Sequence, residues 1–325
     1  MEGDTWVLVE HWRGRVTETT FETLALGREL ADSLGGRLVA VLLGHQCASL
    51  AAQLAAADGV LCGEHDALAE PSPESYAEAL HQLSSARSPA AVLIPLTNVT
   101  LGIGTLLGAR LGLPAVNFCK DLRVSGGNLE ATCTIYGGKM EAVVAIRRQP
   151  AVLGIWPGVR PVDKGRLTGA PPVENVPVTL PQPQARFRRY LEPEAGDIDI
   201  SQVECLVAVG RGIQDKQNLA VAEELAASLG GAVCGSRPVI DQGWLPLSRQ
   251  VGKSGANVKA RLYIAAGISG APEHVEGIRQ AGTIVAVNTD PHAPIFSFAH
   301  YGIVADAIEF LPAFTEAVRK RKQGA

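Results

Sequence analysis

Short apolar runs alternate with amphipathic stretches along this chain, and that alternation is its main structural signal. Trp6–Glu10 reads as a short apolar strand. Thr20–Leu34 reads as a helix with Leu24, Leu26 and Leu30 on its apolar stripe. A strand Leu38–Leu43, a helix Cys47–Ala57 and a strand Gly59–Cys62 follow, then a helix Ser72–Arg87 opened by Ser72 or Ser75, a strand Ala91–Leu96 and a helix Leu101–Leu111. Compact apolar runs between helical periods are what strands buried on both faces require. Farther on, Asp121–Val124, Leu129–Ile135 and Met140–Ile146 predict antiparallel strands, with Gly126-Gly127-Asn128 and Gly137-Gly138 as hairpin turns. The first half is therefore expected to be a mostly parallel α/β domain with added antiparallel strands. Nothing in it resembles a catalytic constellation.

Proline then interrupts the pattern. Pro161, Pro171, Pro172, Pro177, Pro181 and Pro183 fall between Pro157 and Pro193, with no helical period sustained between them. Such a stretch stays extended. It predicts a Pro-rich linker at about 157–193 and two domains, 1–190 and 191–325. A chain of 325 residues exceeds what one core usually holds, which agrees with that division.

The second part carries the chemistry. Val203–Val209 is a buried strand running into Gly210-Arg211-Gly212, and a helix Asp215–Leu229 follows, stopped by Gly230-Gly231. A glycine turn between strand and helix offers free backbone N–H groups and a positive helix end to a phosphate. The third glycine of G-x-G-x-x-G is missing, so the motif alone is weak. Further loops follow strand-like segments: Gly235-Ser236-Arg237 after Ala232–Cys234, Gly267–His274 after Arg261–Ala266, and Asn288–Pro291 after Thr283–Val287. The glycine-containing run Gln250–Gly255 lies between them. In a doubly wound sheet such loops converge on one crevice, and small-polar-glycine loops there suit an extended nucleotide cofactor. Gly252-Lys253-Ser254 lacks the spacing of a phosphate-binding loop, which excludes ATP hydrolysis by that route.

Composition narrows the classes. There are 29 basic against 33 acidic residues, a net charge of −4, and no basic stripe, so a nucleic-acid partner is not expected. Apolar runs are too short to cross a bilayer, and no membrane insertion is expected. Met1–Arg13 contains Glu2, Asp4 and Glu10 and reads neither as a secretory signal nor as a transit peptide. Six cysteines without a C-x-x-C pair read as small core residues in a reducing compartment. A cytoplasmic protein is the plain expectation, with a processed organelle protein as the alternative.

The residues quoted above, taken in order, resemble a known family. Gly210-Arg211-Gly212, Ser236-Arg237, Asp241-x-Gly243-Trp244-x-Pro246, Gln250-Val251-Gly252-x-Ser254-Gly255 and Leu262-Tyr263-Ile264-Ala265 are similar to the α subunit of electron transfer flavoproteins. So are Gly267-Ile268-Ser269-Gly270-Ala271-x-x-His274, Asn288-x-Asp290-Pro291-x-Ala293-Pro294-Ile295-Phe296 and Tyr301–Asp306. The likeness covers about residues 205–320; the first half matches more loosely, mainly in Leu96–Pro114 and Asp121–Val144. Departures are Lys253 where the family usually has Gln, Ser254 for Thr, His300 for Asp, and Pro272-Glu273 for an apolar residue and Gln.

The resemblance implies a Rossmann-like, doubly wound second domain that binds FAD, and a first domain docked on an electron transfer flavoprotein β subunit. It places Arg211 and the Gly267–Ala271 loop, with Ser269, Gly270 and Ala271, at the pyrophosphate and ribityl chain. Ser236, Gln250, Val251, Gly252, Lys253, Ser254 and His274 would line the isoalloxazine and ribityl chain, with Arg237 against the ring and His274 near its pyrimidine carbonyl. Asn288, Asp306 and Ala307 would hold the adenosine end. The implied activity is that of a redox shuttle rather than a substrate-converting enzyme. It would accept electrons from dehydrogenases, such as acyl-CoA dehydrogenases, and pass them to an acceptor such as a quinone oxidoreductase. Arg237 would favour the reduced, anionic flavin by its permanent charge, and His274 would donate to the carbonyl, more strongly when protonated.

Other readings stand beside it. Some family members split electron pairs from NADH, and this chain alone does not decide between the two modes. A nicotinamide-dependent, Rossmann-like oxidoreductase would need an acidic residue roughly 20 positions after the glycines; Glu223 and Glu224 come too early. The first half by itself resembles the nucleotide-binding universal stress proteins. Singly, His274 could cap a helix, Arg211 pair with a surface acid and Arg237 fix a loop; the ordered set is what points to a flavin site.

Overall fold

The computed structural model describes residues 3–136, 140–190 and 198–323. It divides into two compact units, Met1–Arg189 and Tyr190–Ala325.

In the first unit the strands are β1 (Thr5–Leu8), a two-residue pair β2 (His11–Trp12) and β3 (Arg15–Val16), β4 (Leu38–Gly44), β5 (Gly59–Glu64), β6 (Ala91–Pro95), β7 (Ala115–Ser125), β8 (Asn128–Ile135), β9 (Met140–Ile146), β10 (Ala151–Ile155) and β11 (Val173–Asn175). Nine of them form one sheet in the order β11-β5-β4-β1-β6-β10-β7-β8-β9. It is parallel as far as β7, after which β8 and β9 run antiparallel. Alternate residues of β1 serve the two faces. Val7 packs with Phe21, Leu24 and Leu30 of helix α1 (Glu18–Leu34). Trp6 and Leu8 pack with Leu80 and Leu83 of α2 (Pro73–Arg87) and Leu107 of α3 (Ile103–Leu111). The Ser72 hydroxyl caps α2, accepting from the Ser75 N–H at 3.3 Å.

Two expectations change here. Residues 48–53 form a 3-10 turn and not an α-helix from Cys47 to Ala57. Its start is clamped by Glu64 Oε1, which accepts from the N–H groups of Cys47 and Ala48, and its end by Asp58, whose N–H donates to Leu38 O. Those ties leave too little chain for a packed helix between adjacent parallel strands. The stretch expected to stay extended also holds a four-residue helix α4 (Val162–Gly165) and the edge strand β11, which pairs with β5 through Val173↔Val60. Of the two expected hairpin turns, Gly126-Gly127 joins β7 and β8 with both residues at positive φ (55° and 79°), as a two-residue hairpin loop requires. The Gly137-Gly138 turn lies outside the described residues.

The second unit has five strands, β12 (Cys205–Val209), β13 (Ala232–Gly235), β14 (Leu262–Ala266), β15 (Thr283–Asn288) and β16 (Tyr301–Val304). Every neighbouring pair is parallel, in the order β13-β12-β14-β15-β16. Numbered within the unit this is 2-1-3-4-5, a doubly wound order. Leu206 and Ala208 face a cluster with Val275 and Ile278 of α7 (Pro272–Ile278). Val207 and Val209 face Leu219 and Leu225 of α5 (Leu219–Leu229) and Leu311 of α8 (Ala307–Gln323). The short helix α6 (Arg237–Asp241) follows β13. Among the described residues, no helix is long and apolar enough to cross a membrane.

Candidate functional site

The order 2-1-3-4-5 reverses direction between β12 and β14, and ligands of doubly wound sheets bind beyond the carboxyl ends of the strands at such a point. A cavity of about 660 Å³ opens there, within the usual size range of small-molecule sites. Twelve of the fifteen expected residues line it: Arg211, Ser236, Arg237, Gln250, Val251, Gly252, Lys253, Ser254, Ser269, Ala271, His274 and Asn288. Gly210, Gly212, Pro238, Asp241, Gly267, Ile268 and Glu273 line it as well. Of these, Asp241 and Glu273 add charge beside the expected basic groups; their place in short helices that open at the cavity could have been read from the prolines Pro238 and Pro272 at the helix starts.

The three expected residues outside the lining hold the neighbouring backbone. Gly270 packs directly on the backbone of Ile295. Asp306 caps α8, accepting from the Ile308 N–H at 2.8 Å, and its other oxygen accepts from Gln214 Nε2 at 3.3 Å. Ala307 is buried as the first residue of that helix.

The glycines after β12 act differently from the sequence expectation. Gly210 and Gly212 donate their N–H groups to Ala266 O (2.8 Å) and Gly267 O (3.0 Å). They are therefore not free for a phosphate. Helix α5 begins only at Leu219, after 3-10 turns at Arg211–Ile213 and Lys216–Asn218. What the glycines permit is contact between two loops: a Cβ on Gly212 would stand 2.6 Å from Gly267 Cα, and Gly267 itself has φ +64°. This contact fixes the floor of the cavity at the switch point.

Side chains around the cavity are held by one another. Gln250 is buried and donates from Nε2 to Ser254 Oγ at 2.8 Å. The Lys253 N–H donates to Glu273 O at 2.7 Å, pinning the 250–255 loop against the start of α7. Asn288 donates from Nδ2 to Ile268 O (2.9 Å) and accepts from the Asp290 N–H (2.9 Å). Its amide thus positions the 267–271 loop. His300 lies outside the cavity lining; its Nδ1 accepts from the Ile284 N–H at 3.0 Å, which fastens the start of β16 to β15.

His274 is 5% exposed. Its Nε2 is 2.9 Å from the Tyr263 hydroxyl, while its Nδ1 makes no hydrogen bond. Burial pushes its pKa down to about 4, against a weaker opposite effect from a backbone hydrogen bond at Val251 that falls outside normal hydrogen-bond geometry. The imidazole is therefore neutral at physiological pH. A buried, unpartnered ring nitrogen on a cavity wall is what a site looks like when the ligand supplies the missing partner.

The first unit has a reversal of its own between β1 and β6, and its side chains fill it. Glu10 Oε1 accepts from Thr97 Oγ1 (2.7 Å) and Oε2 from Thr19 Oγ1 (2.9 Å), bridging the two loops. The cavity beside Glu10 measures only about 20 Å³.

Comparison with known proteins decides the family. Residues 5–181 match the electron transfer flavoprotein domain, and residues 199–279 match the electron transfer flavoprotein FAD-binding domain. The chain belongs to the electron transfer flavoprotein family. It is 36% identical to protein FixB of Clostridium saccharobutylicum over 315 residues, covering 94% of this chain and 93% of that protein. It is 35% identical to the electron transfer flavoprotein subunit alpha of Clostridium acetobutylicum over 324 residues, covering 97% and 96%. It is 33% identical to the acryloyl-CoA reductase electron transfer subunit beta of Anaerotignum propionicum over 353 residues, covering 98% and 96%. The chain is thus an α-type electron transfer flavoprotein subunit, its cofactor is FAD, and its role is to carry electrons. The nicotinamide-dependent reading is not favoured.

Proposed function

We propose that the cavity at the β12–β14 switch point seats the FAD, and that Met1–Arg189 docks on a β subunit to complete a heterodimeric carrier. The carrying observation is a cavity of about 660 Å³ lined by three basic side chains, Arg211, Arg237 and Lys253, together with a buried, unpartnered His274 Nδ1. Arg211, Ser269 and Ala271 would serve the phosphates. Ser236, Arg237, Gln250, Val251, Gly252, Lys253, Ser254 and His274 would serve the ring and its ribityl chain. Asn288, Asp306 and Ala307 would hold the loops around the nucleoside end, and Gly270 the loop at the phosphates. FAD supplies the redox chemistry; the chain's residues bind it and set the relative stability of its oxidised and reduced forms. Permanent guanidinium charge favours a ligand that gains electrons, whereas Asp241 and Glu273 moderate that bias.

The partners follow from the same reading. A relative is named as an electron transfer subunit of acryloyl-CoA reductase, which supports a partner enzyme that acts on an acyl-CoA; a dehydrogenase of that type is the donor in this reading. A downstream acceptor such as a quinone oxidoreductase would take the electrons on, in the cytoplasm. The test is to express the full chain with its β-type partner, record the visible spectrum of the purified complex and titrate it with dithionite. Yellow protein with bound FAD that reduces reversibly is the expected result. Colourless protein that fails to take up added FAD overturns the proposal.

A further inference from the structure

Tyr263 is the second residue of β14, fully buried, and is not part of the cavity wall. Its hydroxyl is 2.9 Å from His274 Nε2. The same hydroxyl also meets the thiol of Cys234, a buried residue of β13. His274 does line the cavity, so the ring spans from a buried polar pair to the ligand space. With Nε2 turned to Tyr263, Nδ1 is the nitrogen left without a hydrogen bond.

Two proton arrangements satisfy this chain of three groups. In one, the thiol donates to the phenol oxygen, the phenol O–H donates to Nε2, and the imidazole proton sits on Nδ1. In the other, the phenol donates to sulfur, Nε2–H donates to the phenol oxygen, and Nδ1 is a bare lone pair. Sulfur is a weak acceptor and neutral imidazole nitrogen a good one, so the first makes the stronger bonds. Both nitrogens cannot be donors at once while the ring is neutral, and burial keeps it neutral down to about pH 4.

We infer that Tyr263 is a positioning residue that fixes the tautomer of His274: its hydroxyl donates to Nε2 and holds the proton on Nδ1, which gives the cavity an uncharged hydrogen-bond donor. A cofactor acceptor that becomes more electron-rich on reduction gains from that donor, and would be repelled by the lone pair of the other tautomer. This rests on the proposed FAD site. The tautomer itself does not, and it can be read without cofactor.

The experiment therefore has two arms. In the first, the full chain labelled with 15N-histidine is studied by long-range 1H–15N NMR, with His274 assigned through His274→Gln. The expected pattern is a protonated Nδ1 and an unprotonated Nε2, retained in Cys234→Ala because the phenol keeps its preferred acceptor. A protonated Nε2, or a tautomer that flips in Cys234→Ala, overturns the inference whether or not FAD binds. In the second, Tyr263→Phe keeps the ring and removes the hydroxyl. The expected outcome is loss of the fixed tautomer and a threefold to tenfold fall in the affinity for reduced FAD relative to oxidised FAD, roughly one hydrogen bond's worth, as read from potentials of the complex. An unchanged ratio in a folded variant also overturns it. Should the complex bind no FAD, the proposed function fails while the NMR arm still decides the tautomer. Should Tyr263→Phe fail to fold, the unmodified chain and Cys234→Ala carry the decision.

Discussion

Arg237 Nε lies 3.4 Å from Asp241 Oδ2, one turn along α6, and both side chains line the cavity. The pair is 71% and 63% exposed, so it is weakly held and the guanidinium can turn to a ligand at little cost. Asp241 nonetheless tethers the guanidinium and sets a negative charge beside it. Asp241→Asn should therefore raise the affinity for reduced over oxidised FAD by about twofold to fivefold, the scale of an exposed ion pair. Arg237→Ala should lower it by about tenfold, the effect of losing a charge contact of about 1.4 kcal/mol. Redox titration of the two variants checks both signs. Equal potentials in wild type and Arg237→Ala would show that the guanidinium does not face the flavin.

Lys253 occupies the cavity rim, its backbone anchored by Glu273 O. A cation there favours the form of the cofactor that carries more negative charge. Lys253→Gln should lower the reduction potential, with a fall in reduced-over-oxidised affinity of about twofold to fivefold that shrinks as salt is added. A raised or unchanged potential at low ionic strength would refute this.

His274 gives a pH dependence with a definite sign. Its pKa falls from 6.5 to about 4 on folding, so the unfolded chain binds the extra proton first. The contribution to stability is fully present above about pH 6.5 and is lost as pH falls toward 4, about 3 kcal/mol across the window. Urea midpoints measured for wild type and His274→Leu between pH 7 and pH 4 should show a flatter profile in the variant. Parallel profiles would mean that His274 is charged, or solvated, in the folded state.

Much of this was legible in the sequence because strand and helix periods differ. β4, β6 and β12 are unbroken apolar runs, and Ser72 followed by Pro73 marks the start of α2 on sight. β10 and β11 were not legible: Ala151–Ile155 directly follows Arg147–Pro150, and β11 sits among prolines, so its pairing comes from the neighbouring edge strand and not from local preference. The cavity residues were legible only as an ordered set. Which N–H groups are free was not legible, because Gly210 and Gly212 are satisfied by a loop more than fifty residues away, Ala266 and Gly267. The neutral state of His274 also depends on long-range burial that no local pattern encodes.

The Gly212–Gly267 contact should tolerate no added side chain. A Cβ on Gly212 would come within 2.6 Å of Gly267 Cα, and one on Gly267 within 2.7 Å of Gly212 Cα at φ +64°. Backbone lies on both sides, so neither loop can yield without opening the hydrogen bonds from Gly210 and Gly212 to Ala266 and Gly267. Gly267→Ala combines a left-handed backbone cost of about 1–2 kcal/mol with overpacking of about 1–3 kcal/mol, a loss of about 2–5 kcal/mol in urea unfolding. Gly243 is the control, with φ +67° and nothing within 4 Å of its Cβ position. Gly243→Ala should lose only the backbone cost, about 1–2 kcal/mol. FAD uptake separates the two further: Gly267→Ala moves the floor of the cavity and should weaken binding at least tenfold even at temperatures where the variant is folded, whereas Gly243→Ala should bind as wild type does. Comparable losses in the two variants would mean that the loops are not in contact at the switch point.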